Sequence, residues 1–319
     1  MQEKLKMSSK TPEQFSLPVN DHAITMVKYL PQVSYYDLST KLSESESSII
    51  PAPSDEVRGV IFFAPAMAVP QLFYKYYLDY LSTLGYLVAS LDFVGMGLSD
   101  NGPHKGSTIT MHDWVDDLEV ATQWFLDNYE AILVDLGMAA ADIEQLPRYY
   151  VCHSLGGQLF GFLSNQNQFS KFVAVTSQNG YWKLYKNKYR YFFFWHFAVS
   201  PLILLTGHFP KWGGLGESLP PKVMKTWKKW CTSRNYFFDD ANYHPQYEQY
   251  QHQILTIGFD DDPWATQMAI EDLYQHYINA NLQHWHLDPA DFELAAVGHF
   301  GYFKPASIRI WQKTLGWLD

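Results

Sequence analysis

The sequence predicts an α/β fold: a mainly parallel sheet with helices on both faces and a helical cap inserted after the sixth core strand. Two observations carry this expectation. Short apolar runs rich in β-branched and aromatic residues, at 60–63, 86–91, 149–152, 172–176 and 254–257, alternate with stretches of helical periodicity. That is the pattern of parallel strands joined by crossover helices. The alternation stops at Asn179-Gly180 and resumes only near residue 254. A chain of 319 residues buries about three quarters of its unfolded surface, enough for a large core.

Taken in order, the N-terminal residues carry charge without an apolar stretch behind it, which does not support a secretory signal, and 1–14 reads as a disordered tail. A hairpin-like start around 23–29 leads through Pro51-Ala52-Pro53-Ser54 into the alternating units. Between the strands, 74–84 and 111–129 place apolar residues three and four apart, the second with Trp114, Leu118, Ala121 and Phe125, as amphipathic helices do. The segment 181–250 has no strand rhythm yet holds 20 of the 54 aromatic residues. It reads as a helical, aromatic-rich cap between two pieces of a core, 15–180 and 251–319. One of its helices is opened by Pro220-Pro221, with Val223, Met224, Trp227, Trp230 and Cys231 on one face and four lysines on the other. The stretch 191–210 has no formally charged residue and approaches the length of a membrane span. Ser200, Pro201 and Gly207 are expected to break it into a pair of buried or interfacial cap helices.

The net charge of −10 argues against a nucleic-acid partner, whose phosphates demand a basic surface. Charge is unevenly spread: between Tyr181 and Asp240 there are ten Lys or Arg against three carboxylates. A cap so basic suits an anionic head group or an anionic membrane surface. Only Cys152 and Cys231 are present, so no disulfide framework is expected and a reducing, cytoplasmic setting is the simplest home.

The chemistry is concentrated where the strand at 149–152 runs into Cys152-His153-Ser154-Leu155-Gly156-Gly157. A serine on so tight a strand-to-helix turn reads as a nucleophile, and the turn demands small residues two before and two after it. Gly156 meets that demand, and Cys152 replaces the commoner glycine. Serine needs a base to take its proton and an acid to orient that base. His299, framed by Gly298 and Gly301, is the candidate base. Of Asp260-Asp261-Asp262 only one is able to reach it; counting on from Gly258 favours Asp261, counting back from Pro263 favours Asp262, and Asp261 is preferred. His153 is expected to point away from the site and to pack. An oxyanion hole requires fixed donors, for which the N–H of Leu155 and, in Ala64-Pro65-Ala66-Met67, the N–H of Met67 are the candidates. His284 and His286 stand two apart without the cysteine or carboxylate company of a metal site, so neither metal nor cofactor is expected.

Ala64-Pro65-Ala66-Met67, the run from Asp92 to Ser99, the elbow at Ser154, Gly258-Phe259-Asp260-Asp261-Asp262 and Gly298-His299-Phe300-Gly301 together resemble the α/β-hydrolase superfamily, in its chain order of Ser, Asp, His. More closely they resemble a bacterial branch near the monoglyceride-lipase and prolyl-aminopeptidase-like serine hydrolases. The resemblance implies a triad of Ser154, Asp261 and His299 with Met67 and Leu155 as oxyanion donors. It departs at Val94, where arginine is common, and at Cys152. The reading that follows is a hydrolase of a small carboxylic ester or thioester with an apolar acyl or aryl group, acting through an acyl-serine. Its alternatives are an amidase or aminopeptidase, disfavoured by the scarcity of acidic residues in the cap, and a ligand-binding protein that does not turn over.

Overall fold

The computed structural model describes residues 11–43, 47–100 and 102–319. Eight strands, β1 (Glu13–Val19), β2 (His22–Tyr29), β3 (Gly59–Ala64), β4 (Tyr86–Asp92), β5 (Arg148–His153), β6 (Lys171–Val175), β7 (Gln253–Phe259) and β8 (Asn281–Leu287), form one sheet in the order β1-β2-β4-β3-β5-β6-β7-β8. The β1–β2 and β2–β4 pairs are antiparallel and every other pair is parallel. Glu13 and Gln14 pair with Lys28 and Val27, so the tail expected over 1–14 ends sooner than the sequence suggested. Residues 1–10 lie outside the described residues.

Strand order reverses beside β3: β4 lies on one side of it and β5 on the other. At such a switch point the loops leaving the two strands diverge and open a crevice at the carboxyl edge. Ala64 pairs with Cys152, and His153 with Val175, which brings the ends of β3, β5 and β6 level.

Nine helices among the described residues flank the sheet and cross its edge: α1 (Lys75–Thr83), α2 (Met111–Asp135), α3 (Ala140–Glu144), α4 (Leu155–Phe160), α5 (Lys188–Phe193), α6 (Val199–Thr206), α7 (Pro221–Thr232), α8 (Gln267–Tyr274) and α9 (Ile308–Leu318). The alternating side chains of the central strands feed two cores. Val60, Phe62, Tyr150 and Cys152 pack with Trp114, Leu118 and Phe125 of α2; Ile61, Phe63, Tyr149 and Val151 pack with α1 and α9. Burial on both faces is why the strands read as continuous apolar runs. Helix α2 starts at a reciprocal cap in which Thr110 Oγ1 accepts from Asp113 N–H and the Asp113 carboxylate accepts from Thr110 N–H.

The segment between β6 and β7 is helical and carries α5, α6 and α7. Helix α7 buries Val223, Met224, Trp230 and Cys231 as its periodicity predicts and packs against α2. The expected break at Ser200-Pro201 does not occur. Helical backbone runs unbroken from Lys188 to Thr206 through a π turn at Phe194–Ala198. The π turn changes the pairing register just before Pro201, where the missing N–H would otherwise interrupt the ladder. Gly207, left-handed at φ 80°, ends the helix. No helix among the described residues is long and apolar enough to cross a membrane.

Candidate active site

Ser154 sits at the end of β5 with φ 49° and ψ −110°, backbone angles that a side chain adopts only under constraint, at a cost of roughly 1–3 kcal/mol. The constraint is a shortage of space. A Cβ on Gly156 would stand 2.5 Å from the Ala64 carbonyl oxygen, and one on Gly157 would stand 2.7 Å from Cys152 Sγ. The elbow therefore tolerates cysteine at 152 because residue 157 has no side chain. Burial pushes the Cys152 thiol well above its usual range, leaving it protonated and inert beside the serine.

Ser154 Oγ lies 3.1 Å from His299 Nε2, and His299 Nδ1 lies 2.8 Å from Asp262 Oδ2. All three side chains are buried. The acid beside the imidazole is thus Asp262 and not Asp261, a correction to the sequence reading. Strand β7 runs on through Phe259, and the turn closed by Asp262 N–H donating to the Phe259 carbonyl (3.0 Å) swings Asp262 inward. Asp261 stays outside, where its two oxygens accept from the N–H groups of Val297 (2.8 Å) and Gly298 (2.9 Å). It fastens the loop that carries His299 without touching the ring. Burial alone would raise the Asp262 carboxyl, but the neighbouring His299 and the N–H groups of Trp264 and Ala265, donated to Oδ1, hold it below the usual carboxylate range. Asp260 pairs with His286 (3.0 Å), and His284 Nδ1 lies 2.6 Å from Thr256 Oγ1.

Both expected oxyanion donors border the same cleft as Ser154 and His299. Leu155 opens α4, so its N–H has no partner within the helix. The Met67 loop is held from two sides: Ala66 N–H donates to Tyr74 Oη (3.0 Å), and Glu217 N–H, from the segment between β6 and β7, donates to the Ala68 carbonyl (2.8 Å).

His153 does turn away from the cleft, as expected, but its role goes beyond packing. Its Nε2 donates to the carbonyl of His299 (2.9 Å), which can only accept, so Nδ1 must accept from Tyr74 O–H (2.8 Å). Burial, together with the nearby His299, lowers the His153 pKa well below the usual value, which keeps the ring neutral. A continuous hydrogen-bonded path thus joins the Met67 loop to the backbone of His299. Nothing in the sequence beyond its place next to Ser154 marked this residue.

The cleft is narrow, with only about 30 Å³ of space open to a water-sized group. Its walls are aromatic, with Tyr185, Tyr191, Phe194, Trp195 and Trp227 from the segment between β6 and β7 and Trp264 from the loop after β7. The Trp264 ring lies 4.8 Å from that of His299. No carboxylate, lysine or arginine is among the described residues that line the cleft; besides Ser154 and His299, its polar side chains are the amides of Gln158 and Gln178 and the hydroxyls of Tyr185 and Tyr191.

A family model described as Alpha/beta hydrolase family matches residues 61–308. No curated protein matches the sequence. Among solved structures, a soluble variant of monoglyceride lipase from Saccharomyces cerevisiae, in complex with a substrate analogue, is 12% identical over 100% of this chain and 98% of its own, with a TM-score of 0.63. An esterase from Pyrococcus furiosus is 13% identical over 96% of this chain and 88% of its own, at 0.53. An acylaminoacyl peptidase from Pyrococcus horikoshii is 12% identical over 96% of this chain and 41% of its own, also at 0.53. At these identities the likeness is one of fold.

Proposed function

This chain belongs to the alpha/beta hydrolase family, and from that premise we propose that it hydrolyses neutral carboxylic esters or thioesters with an apolar acyl or aryl group through an acyl-Ser154 intermediate. The observation that carries the reading is the line of contacts from Ser154 Oγ through His299 to Asp262. Ser154 Oγ attacks the carbonyl carbon while its proton passes to His299 Nε2. The oxyanion is met by the N–H groups of Met67 and Leu155, each worth roughly 3 kcal/mol in such sites. His299 then gives the proton to the departing alcohol or thiol, and a water repeats the sequence to free the acid and Ser154. Asp262 keeps the proton on Nδ1, so that Nε2 is open to the serine.

Ester is favoured over aminopeptidase chemistry because a free ammonium group calls for a carboxylate, and the cleft walls hold none. Labelling with a fluorophosphonate, lost in Ser154→Ala, together with turnover of p-nitrophenyl esters of graded chain length beside an aminoacyl-anilide, tests the proposal. An intact protein that never labels, or one that cleaves only the anilide, overturns it.

We read 181–250 as a cap, and the partner we infer outside the cleft is an anionic lipid surface. The helical run that turns Tyr191, Phe194 and Trp195 to the cleft turns Tyr189, Phe193, Phe197 and Leu204 mostly to solvent. Lys188 and Arg190 stand at its start, and apolar side chains flanked by cations suit the interface of an anionic bilayer. Sedimentation with liposomes should increase when anionic lipid is added; no dependence on lipid charge sinks this part.

A further inference from the structure

Three aromatic rings among the described residues pack on the imidazole of His299: His153 and Phe300, each 5.1 Å away between centroids, and Trp264 at 4.8 Å. His153 faces away from the cleft and Phe300 is the next residue in the chain, so Trp264 is the neighbour that reaches the base from a separate element on the cleft side. Its indole crosses the imidazole at 64°, and its Nε1–H donates to Tyr191 Oη of α5. Tyr191 packs in turn on Tyr185, 4.8 Å away and nearly perpendicular at 82°. The loop that bears Trp264 is also fastened to the residues leading into α5: Lys186 N–H donates to the Pro263 carbonyl (3.2 Å), and Thr266 Oγ1 to the Leu184 carbonyl (2.9 Å). Those bonds hold the loop. The bond to Tyr191 fixes where the indole lies on it.

An imidazole turns about its last torsion in a broad well, so a base gains precision from neighbours whose own positions are locked. Asp262 and Ser154 engage the His299 ring at its two nitrogens, which leaves its faces and carbon edge to packing. The backbone N–H of Trp264 donates to Asp262 Oδ1 (2.8 Å) whatever side chain stands at 264, so what the indole does for the base is separable from what the loop does for the acid. The indole has one donor and no acceptor, and that donor is spent on Tyr191. We infer that Trp264 is a positioning residue for the proposed base: held by the Tyr191 hydroxyl, its ring keeps the His299 imidazole in line between Ser154 and Asp262, so that α5 is joined to the base through one hydrogen bond. This rests on the acyl-Ser154 reading for the role of His299.

Two substitutions test it. Tyr191→Phe removes the acceptor and keeps the ring; Trp264→Phe keeps a smaller ring and removes the donor. Each should lower kcat on p-nitrophenyl acetate by on the order of tenfold with KM changed less than about twofold, the pattern of a misplaced base. The double variant should lose little more than either single one, because both break the same link. A residue that merely lines the cleft would instead raise KM, and more so for longer acyl chains. An unchanged kcat, or a loss confined to KM, overturns the inference. Its failure is separable from that of the catalytic reading by a signal that needs no turnover. In protein carrying isotope-labelled histidine, the ring proton on His299 Nδ1, assigned by its loss in His299→Gln, should exchange slowly with water in the wild type and distinctly faster in Tyr191→Phe. A proton protected equally in both, or in neither, overturns the inference whether or not the wild type turns over.

Discussion

His153 Nε2 lies 2.9 Å from the carbonyl oxygen of His299, so the residue next to the proposed nucleophile holds the backbone of the proposed base. Thr176 Oγ1 donates to the same carbonyl at 3.2 Å. On its other side the ring takes the Tyr74 hydroxyl proton, and Tyr74 in turn receives the N–H of Ala66. Phenylalanine at 153 would fill much of the space and make neither bond. We expect His153→Phe to lower kcat roughly 10- to 100-fold by loosening both the base and the oxyanion loop, a loss typical of misplacement. Tyr74→Phe should cost a similar factor, and the double variant little more than either alone, because the two share one path. Fully additive losses would show that they act separately.

Asp262 and Asp261 differ in what they hold, and their amide variants should differ accordingly. In Asp262→Asn the carbonyl oxygen is claimed by the N–H groups of Trp264 and Ala265, so NH₂ faces His299 Nδ1. The imidazole must then carry its proton on Nε2 and is unable to take one from Ser154. A fall in kcat on the order of 10³-fold or more is expected. Asp261→Asn keeps one acceptor of two for Val297 and Gly298 and should cost about 1–2 kcal/mol of stability, with kcat reduced less than about tenfold. Steady-state kinetics and thermal melts of both proteins separate these outcomes; the reverse ranking in kcat would return the acid's role to Asp261.

That contrast marks what the sequence could and could not disclose. Ser154, His299 and the loops bearing Met67 and Leu155 were legible because each is tied to a local pattern: a strand running into small residues, a histidine between glycines, a loop leaving a buried strand. The acid was not. Asp261 and Asp262 follow the same strand, and which of them turns inward depends on a single turn hydrogen bond to Phe259 that leaves no mark in composition. The continuity of the helical run from Lys188 to Thr206 is hidden in the sequence for a related reason. Pro201 signals a break, and only the π turn before it, a feature without a residue signature, shows how the chain continues.

Gly157 and Cys152 form a packing pair that is open to test. A Cβ at 157 would stand 2.6 Å from Ser177 Oγ, 2.7 Å from Cys152 Sγ and 2.8 Å from Tyr274 Oη, all side-chain atoms in a buried layer. Alanine gains about 0.5–1 kcal/mol over glycine inside a helix, against about 1–3 kcal/mol for overpacking a core. Net destabilisation of about 1–2 kcal/mol is therefore expected for Gly157→Ala. Cys152→Gly should recover part of it, since the sulfur is one of the three obstructions. Chemical denaturation of the two single variants and the double gives the coupling directly; a double variant no more stable than additivity predicts would mean that Ser177 and Tyr274 are the whole obstruction.

The buried, neutral state of His153 also sets a pH dependence with a definite sign. Its folded pKa lies well below the unfolded value of about 6.5, so below that pH the unfolded chain takes up a proton that the folded chain refuses. The stability this residue contributes is complete above about pH 6.5 and is lost as the pH falls, by up to about 1.4 kcal/mol per unit. Asp79, Asp92 and Asp117, whose carboxyls burial raises to about 6, act in the opposite sense: the folded state holds their protons longer, and the stability so gained is lost as the pH rises from about 4 to 6. Those three are common to the wild type and to His153→Phe and cancel in the difference between them. The stability gap between the two proteins, measured by denaturation at pH 7, 6 and 5, should therefore be widest at pH 7 and shrink toward pH 5. A gap that stays constant across this range would mean that the folded protein protonates His153 as readily as the unfolded chain does, and the fixed tautomer that links Tyr74 to His299 would not be available.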